Sequence, residues 1–257
     1  MLDAESRELL ALWTDDDRRV RFVTEVAAGP DEVLDAMRLR HRVFVGEMKA
    51  AATSGGVEIE CDRFDRYCDH LIVRDAIHGR VVGAYRMLGC EGARAAGGFY
   101  SETEFDLHPL KQLRGRILEV GRACVDPDYR GGAVISLLWA GLFKYIITRN
   151  YDYVIGCGSI SLADGGQAAA AICKRLLRDH LCDPHLRVTP HRAFRLDEFA
   201  GSLETPVPPL IKGYLRVGAS VCGEPAWDAG FNTADMLIML PTARMNPRYF
   251  GRYVRQV

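Results

Sequence analysis

The sequence predicts an α+β domain in which a mixed, mostly antiparallel sheet is flanked by helices. Three observations carry this. Six short runs have the apolar alternation or apolar density of strands. Five segments have helical spacing or composition, and they are interleaved with the strands rather than segregated from them. No repeat, low-complexity tract or Pro/Gly/Ser-rich linker divides the 257 residues, so a single domain spans 1–257.

The elements follow in order. The segment SRELLALW reads as an amphipathic N-terminal helix within 1–17, and RRVRFVTEVA as a strand with Val20, Phe22 and Val26 on one side. Gly29-Pro30-Asp31 starts a helix whose predicted apolar face holds Val33, Leu34, Met37, His41, Phe44 and Val45. A loop follows over 50–68. DHLIVRD and RVVGAYRML flank the turn AIHG as a hairpin, and a glycine-rich link precedes the strand RILEVGRACV. Beyond a helix from about Gly132 to Arg149 come the strand YDYVIGC and the helix GGQAAAAICKRLLRDHL. PPLIKGYLRVGA reads as another helix, and TADMLIML as the last strand. Residues 18–165 form the expected core, and 166–257 complete the sheet and end in a basic tail, 244–257.

Composition limits the function classes. Hydrophobic content of 48% with 26% charged residues is that of a globular protein, and no apolar run is long enough to cross a bilayer. The acid-bearing start lacks the pattern of a signal peptide, which predicts a cytoplasmic protein. A formal charge of −1 gives no basic footprint, so nucleic acid is not an expected partner. Eight cysteines without a Cys-x-x-Cys read as reduced and structural. His180, Cys182 and His185 lack a matching second half, so no metal site is expected. The tail carries Arg244, Arg248, Arg252 and Arg255 without an acid, a patch suited to an acidic protein or anionic lipid, or a solvated end.

The stretch LEVGRACVDPDYRGGAVISLLWAGLFKY joins strand, turn, Arg130-Gly131-Gly132 and helix, which is a physical recipe for an anion site. It resembles the acyl-CoA-binding motif of the GCN5-related N-acetyltransferase superfamily, and implies that superfamily's fold. Two later small positions of the motif fall on Ala133 and Ile135, a departure that predicts a poor fit for full coenzyme A. The resemblance then implies a phosphopantetheine arm bound by Cys124, Val125, Arg130, Gly131 and Gly132. It also implies a bulge on this strand. Without one, Glu119 and Arg122 fall on opposite faces.

Further matches are Arg40-x-x-x-Phe44, Glu60-x-Asp62-x-x-Asp65, Arg86 at the end of a strand, and Glu119-x-x-Arg122. In this order they resemble the acyl-homoserine lactone synthases. That pattern's Trp is missing near Ala50, and the C-terminal KGYLRVGASVCGEPAWDAGFNTADMLIMLP is similar to the L-ornithine Nα-acyltransferases. The resemblance implies transfer of a (3-hydroxy)acyl group from acyl-carrier protein to the α-amine of L-ornithine, giving lyso-ornithine lipid. It implies no tightly bound cofactor, with acyl-phosphopantetheine as co-substrate. The expected place of work is the cytoplasm, in peripheral contact with anionic lipid of the inner membrane leaflet.

The chemistry assigned to each residue follows. Glu119 and Arg122 are the catalytic pair, with Glu119 accepting the amine proton. Arg40 or Arg86 forks onto the substrate carboxylate. Asp62 and Asp65 hold the distal ammonium or brace the arginines, and Phe44 is core or lines the acyl tunnel. Tyr214 is a candidate donor to the leaving thiolate. The alternatives are a lactone synthase-like or other N-acyl amino acid synthase. A non-enzymatic module that binds acyl-carrier protein or membrane is the third reading.

Overall fold

The structure, a computed structural model, describes residues 21–51, 56–199 and 204–245. The N-terminal helix and nearly all of the basic tail lie outside the described residues.

One sheet of eight strands organises the chain. Strands β1 (Phe22–Val26), β2 (Asp69–Asp75), β3 (Arg80–Gly89), β5 (Ile117–Val125), β6 (Tyr153–Ser161) and β10 (Thr233–Pro241) lie side by side in that order. The short β8 (Ser220–Val221) and β9 (Ala226–Asp228) both pair with β10. A separate ribbon joins β4 (Phe105–Asp106) to β7 (Thr189–Pro190). Every pairing is antiparallel except β5 with β6. Parallel neighbours need a crossover, and it is supplied by the helix Ala133–Thr148, α3 after α1 (Pro30–Arg40) and α2 (Cys90–Ala96). Helices α4 (Gln167–His180) and α5 (Pro209–Val217) follow.

The central strands are apolar on both faces because both faces are covered. Leu71, Val73, Tyr85 and Met87 pack with α3, α4 and α5, whereas Ile72, Val81, Ala84 and Cys124 pack under α1. Pro30 at the start of α1, with Asp31 and Glu32 in its first turn and Arg38 and Arg40 in its last, suits the helix dipole at both ends. The buried face of α1 differs from the predicted one. Ala36, Leu39 and Arg40 are buried, and Val43 and Phe44 continue the face into a π-helical run, His41–Glu47. Val33, Leu34 and Met37 are only half-buried. A hydrophobic pattern cannot register a buried arginine, and Arg40 turns the helix about one residue from the apolar stripe. The glycine-rich link likewise contains structure that was not expected: α2, the turn Tyr100–Thr103 and β4.

Two irregularities shape the centre of the sheet. In β5, Arg122 and Ala123 together oppose Tyr85, and Arg122 takes the left-handed region at φ +52°. This is the expected bulge, and it brings Arg122 to the same side as Glu119. The β5–β6 pairing runs only from Ile117↔Tyr153 to Glu119↔Ile155, after which the strands part. At the parting point a Cβ on Gly156 would lie 2.3 Å from the Val120 carbonyl oxygen, so the backbones meet there only because 156 is glycine.

Candidate active site

Two pockets meet where β5 and β6 separate. The first, with about 1070 Å³ of unfilled space including its mouth, is polar at one end: Arg86, Tyr100, Glu119, Arg122, Asp228 and Asp235 line it. Phe44, Phe231 and Ile211 supply apolar wall. The second, about 500 Å³ of unfilled space counting the solvent at its mouth, is lined by Trp139, Leu142, Phe143 and Ile146 of α3 with Val217, Ile238 and Leu240. Val120, Cys157 and Tyr214 belong to both, so a charged chamber and an apolar one share a wall at the splay.

Behind the charged chamber lies a balanced cluster of three arginines and three acids. Arg40, 1% exposed, forks onto Asp65 (2.5 and 3.1 Å) and donates through Nε to Glu60 at 2.5 Å. Arg122 reaches Glu60 at 3.1 Å and Asp62 at 3.2 Å, and Arg86 reaches Asp62 at 2.7 Å and Asp65 at 3.4 Å. Burial alone would raise the Asp65 pKa, but the Arg40 fork and the Arg86 charge outweigh it and hold the carboxyl well below the usual range. Arg122 also stands over the rings of Tyr100 (4.7 Å) and Phe231 (4.6 Å).

These positions separate the sequence-predicted residues. Phe44, Arg86, Glu119 and Arg122 line the charged chamber. Arg40 and Asp65 do not; they are sealed behind it, so of their two suggested roles the geometry corrects contact to bracing. Asp62 is one-fifth exposed at the edge of the cluster. The Glu119 carboxylate accepts the N–H groups of Tyr100 (2.6 Å) and Ser101 (2.7 Å) and the Ser101 hydroxyl. Burial raises its pKa against the pull of those donors.

The expected phosphate cradle is only partly open. Gly131 and Gly132 are exposed at the start of α3 with free space above them, and Gly132 takes φ +98°. Arg130, however, forks onto Glu47 at 2.6 and 2.7 Å. The Cys124 side chain is packed under α1 and Val125 against the main core, so neither side chain faces the splay. Ile135, at a motif position expected to be small, packs partly buried against the main core.

Sequence reasoning missed Tyr100, Glu104, Asp228 and Asp235. Glu104, Cys157 and Asp235 bring their polar atoms within 4.8 Å of one another. Burial, with the charges of Asp235 and Asp228, pushes Glu104 up to about 8; burial raises Asp235 to about 6. The signal available was Asp235 itself, an acid inside the apolar run TADMLIML. A buried acid whose folded pKa is raised destabilises the fold as it ionises, so stability falls as pH rises towards the folded pKa. Between pH 6.5 and 8.5 the melting temperature of the free protein should therefore fall. The window avoids His70, whose pKa burial lowers below 6.5, and most of the thiols. In thermal scans Glu104→Gln should flatten that slope; an unchanged slope would remove the assignment.

The β5–β6 splay, the bulge and the glycine-led helix after β5 define an N-acyltransferase of the GCN5-related class, and residues 39–140 match the family described as acetyltransferase (GNAT) domain. Among solved structures, an N-acyl amino acid synthase from uncultured soil microbes aligns over 87% of this chain and 92% of its own, with TM-score 0.52 and 12% identity. A CoA-dependent acyl-homoserine lactone synthase aligns over 88% and 87%, with TM-score 0.50 and 14% identity. Both show the fold alone. Sequence relatives are nearer. The L-ornithine Nα-acyltransferase of Brucella abortus is 38% identical over 85% of this chain and 83% of its own length. That of Rhodobacter capsulatus is 36% identical over 92% and 96%. The chain belongs to the L-ornithine Nα-acyltransferase family.

Proposed function

We propose that the protein transfers a (3-hydroxy)acyl group from the phosphopantetheine thioester of acyl-carrier protein to the α-amine of L-ornithine, giving lyso-ornithine lipid. The observation that carries this is the shared wall of the two chambers. The apolar pocket under α3 suits a fatty chain, and the charged one suits an amino acid.

The pantetheine arm enters where β5 and β6 stop pairing, and backbone groups beyond Glu119, from Ala123 to Val125, bond it. The amine nitrogen attacks the thioester carbon, the C–N bond forms, and the C–S bond breaks. Glu119 takes the amine proton, directly or through water. Arg122 and Arg86 set the field around the substrate carboxylate, braced by Glu60, Asp62 and Asp65. The leaving thiolate takes a proton from Tyr214, whose hydroxyl meets that of Tyr85 and lines both chambers. The Arg130 fork on Glu47 supports the carrier protein as donor. The Arg130 guanidinium is already engaged by Glu47 and the Val125 carbonyl, which suits a single phosphodiester better than the several phosphate charges of coenzyme A. Among the described residues no helix is long and apolar enough to cross a membrane; peripheral contact through the arginine-rich tail at the inner leaflet is part of the proposal.

A product assay by mass spectrometry tests it. Purified protein receives 3-hydroxyacyl-carrier protein with ornithine, lysine, glutamine or S-adenosylmethionine, and a parallel series receives the matching acyl-CoA. Acyl-ornithine with the carrier protein is expected. Equal efficiency with acyl-CoA overturns the donor, and product only with S-adenosylmethionine overturns the acceptor. No product with any amine moves the non-enzymatic reading forward.

A further inference from the structure

We propose that Glu104 and Asp235, with the Thr233 hydroxyl, form the seat for the acceptor's distal ammonium, so that the protein selects a diamino acid over an amino acid with an apolar side chain. This deepens the acyltransfer reading above and rests on it.

Four buried polar atoms stand together: both oxygens of Glu104, Oδ1 of Asp235 and Oγ1 of Thr233. The Tyr100 and Cys157 side chains lie close to Glu104, and the Thr233 and Ser159 hydroxyls close to Asp235, but all of these are neutral donors that leave the charge of the pair unmatched. Asp235 is 3% exposed and Thr233 2%, and both line the charged chamber. A buried carboxylate is costly unless a cation or donors meet it. The nearby arginines are committed elsewhere. Arg86 and Arg122, together with Arg40, face Asp62, Asp65 and Glu60, three cations against three anions. Glu104 lines an adjoining groove that shares Tyr100 and Asp228 with the chamber, and Arg192 and His191 line that groove too. Arg192 lies 3.8 Å over the Trp227 ring, and the His191 Nε2 atom faces the Glu102 carbonyl oxygen at 3.2 Å. Among the described residues neither Glu104 nor Asp235 joins an ion pair. Asp228, whose Oδ1 accepts from the Gly230 and Phe231 N–H groups, adds a further negative charge at the chamber mouth.

The missing complement is thus a compact cation with several donors. A primary ammonium has three, and the four buried polar atoms outnumber them by one. The seat is also placed at the right end of the chamber. Cys157 belongs to the Glu104–Asp235 group and lies 3.5 Å from the Ser101 hydroxyl, which in turn bonds Glu119. An amino acid with its α-amine at Glu119 therefore directs its side chain along Cys157 towards the pair.

Initial rates are measured for the full chain with saturating acyl donor and two acceptors, ornithine and norvaline, which has the same chain length without the distal amine. For the wild type the kcat/KM ratio of ornithine to norvaline should be on the order of 100 or more. In Asp235→Asn and in Glu104→Gln/Asp235→Asn that ratio should collapse by about as much, chiefly through the KM for ornithine. A wild type that acylates both acceptors equally overturns the seat and leaves the acyltransfer reading intact. A wild type that acylates neither sinks the acyltransfer reading itself. Variants that slow both acceptors alike, with the ratio unchanged, assign the pair to proton transfer instead. Activity lost to EDTA and restored by a divalent cation makes it a metal site. Should the variants fail to fold, thermal shifts of the wild type decide: ornithine should raise the melting temperature and norvaline should not.

Discussion

Arg40→Ala should destabilise the protein by about 3–5 kcal/mol, and so lower its melting temperature on the order of 10 °C. The guanidinium is almost wholly inside the protein and carries two acids that are inside with it, Glu60 at 1% and Asp65 at 4% exposure. With Arg40 gone, three acids face the two remaining arginines. Arg122 keeps its 3.1 Å contact with Glu60, and Arg86 stays 3.4 Å from Asp65, but neither can fork onto both. The deficit is one buried negative charge, and that charge sets the size of the effect. Two companion variants separate charge from shape. Arg40→Lys restores the charge as a point donor and should recover only part of the loss. Arg40→Met/Asp65→Asn balances two acids against two arginines and should be more stable than Arg40→Ala. Urea titration checks all three. A loss below about 1 kcal/mol for Arg40→Ala would mean that water reaches the cluster.

The same cluster shows what could be read before the structure and what could not. Arg40, Glu60, Asp62, Asp65, Arg86, Glu119 and Arg122 were legible as a group because their order and spacing resemble those of the acyl-homoserine lactone synthases. Their division into a buried brace and a chamber wall was not legible. It depends on the Arg122 bulge and on which face of α1 turns inward, and a buried arginine distorts the hydrophobic pattern from which that face is read. The hairpin β2–β3, the crossover helix and the last strand announced themselves by period and turn chemistry. The segment 89–115 did not, because glycines and short apolar pieces there encode single turns held by long-range contacts. Tyr100, Ser101 and Glu104 sit in that segment, and their importance appears only once Glu119, eighteen residues beyond Ser101, folds back to accept the Ser101 N–H. Asp235 was visible as an acid in an apolar strand, but its meaning needed the neighbours that β6 and the 100–104 turn bring to it.

Glu119→Gln should reduce kcat/KM by roughly 10²- to 10⁴-fold, the range expected for removing a positioned proton acceptor. The side chain has two duties in one place. It faces the charged chamber, and its two oxygens anchor the Tyr100–Ser101 turn that forms part of that chamber's wall. An amide keeps one acceptor oxygen but puts an NH₂ against a backbone N–H, which leaves a buried donor unsatisfied at a cost of about 1–3 kcal/mol. Loss of rate alone therefore does not separate base from anchor. The pH profile does. A carboxylate acting as base gives kcat/KM a limb that falls as pH drops through its pKa, and burial puts that limb above the ordinary carboxylate range. Glu119→Gln should abolish the limb, and Glu119→Asp should keep it at a reduced rate. Ser101→Ala removes a donor that holds the Glu119 pKa down but leaves the carboxylate, so it should soften the turn, lower the limb's height and move the limb to higher pH. If the limb survives in Glu119→Gln, the proton goes elsewhere and Glu119 is the strut that holds Tyr100 beneath Arg122.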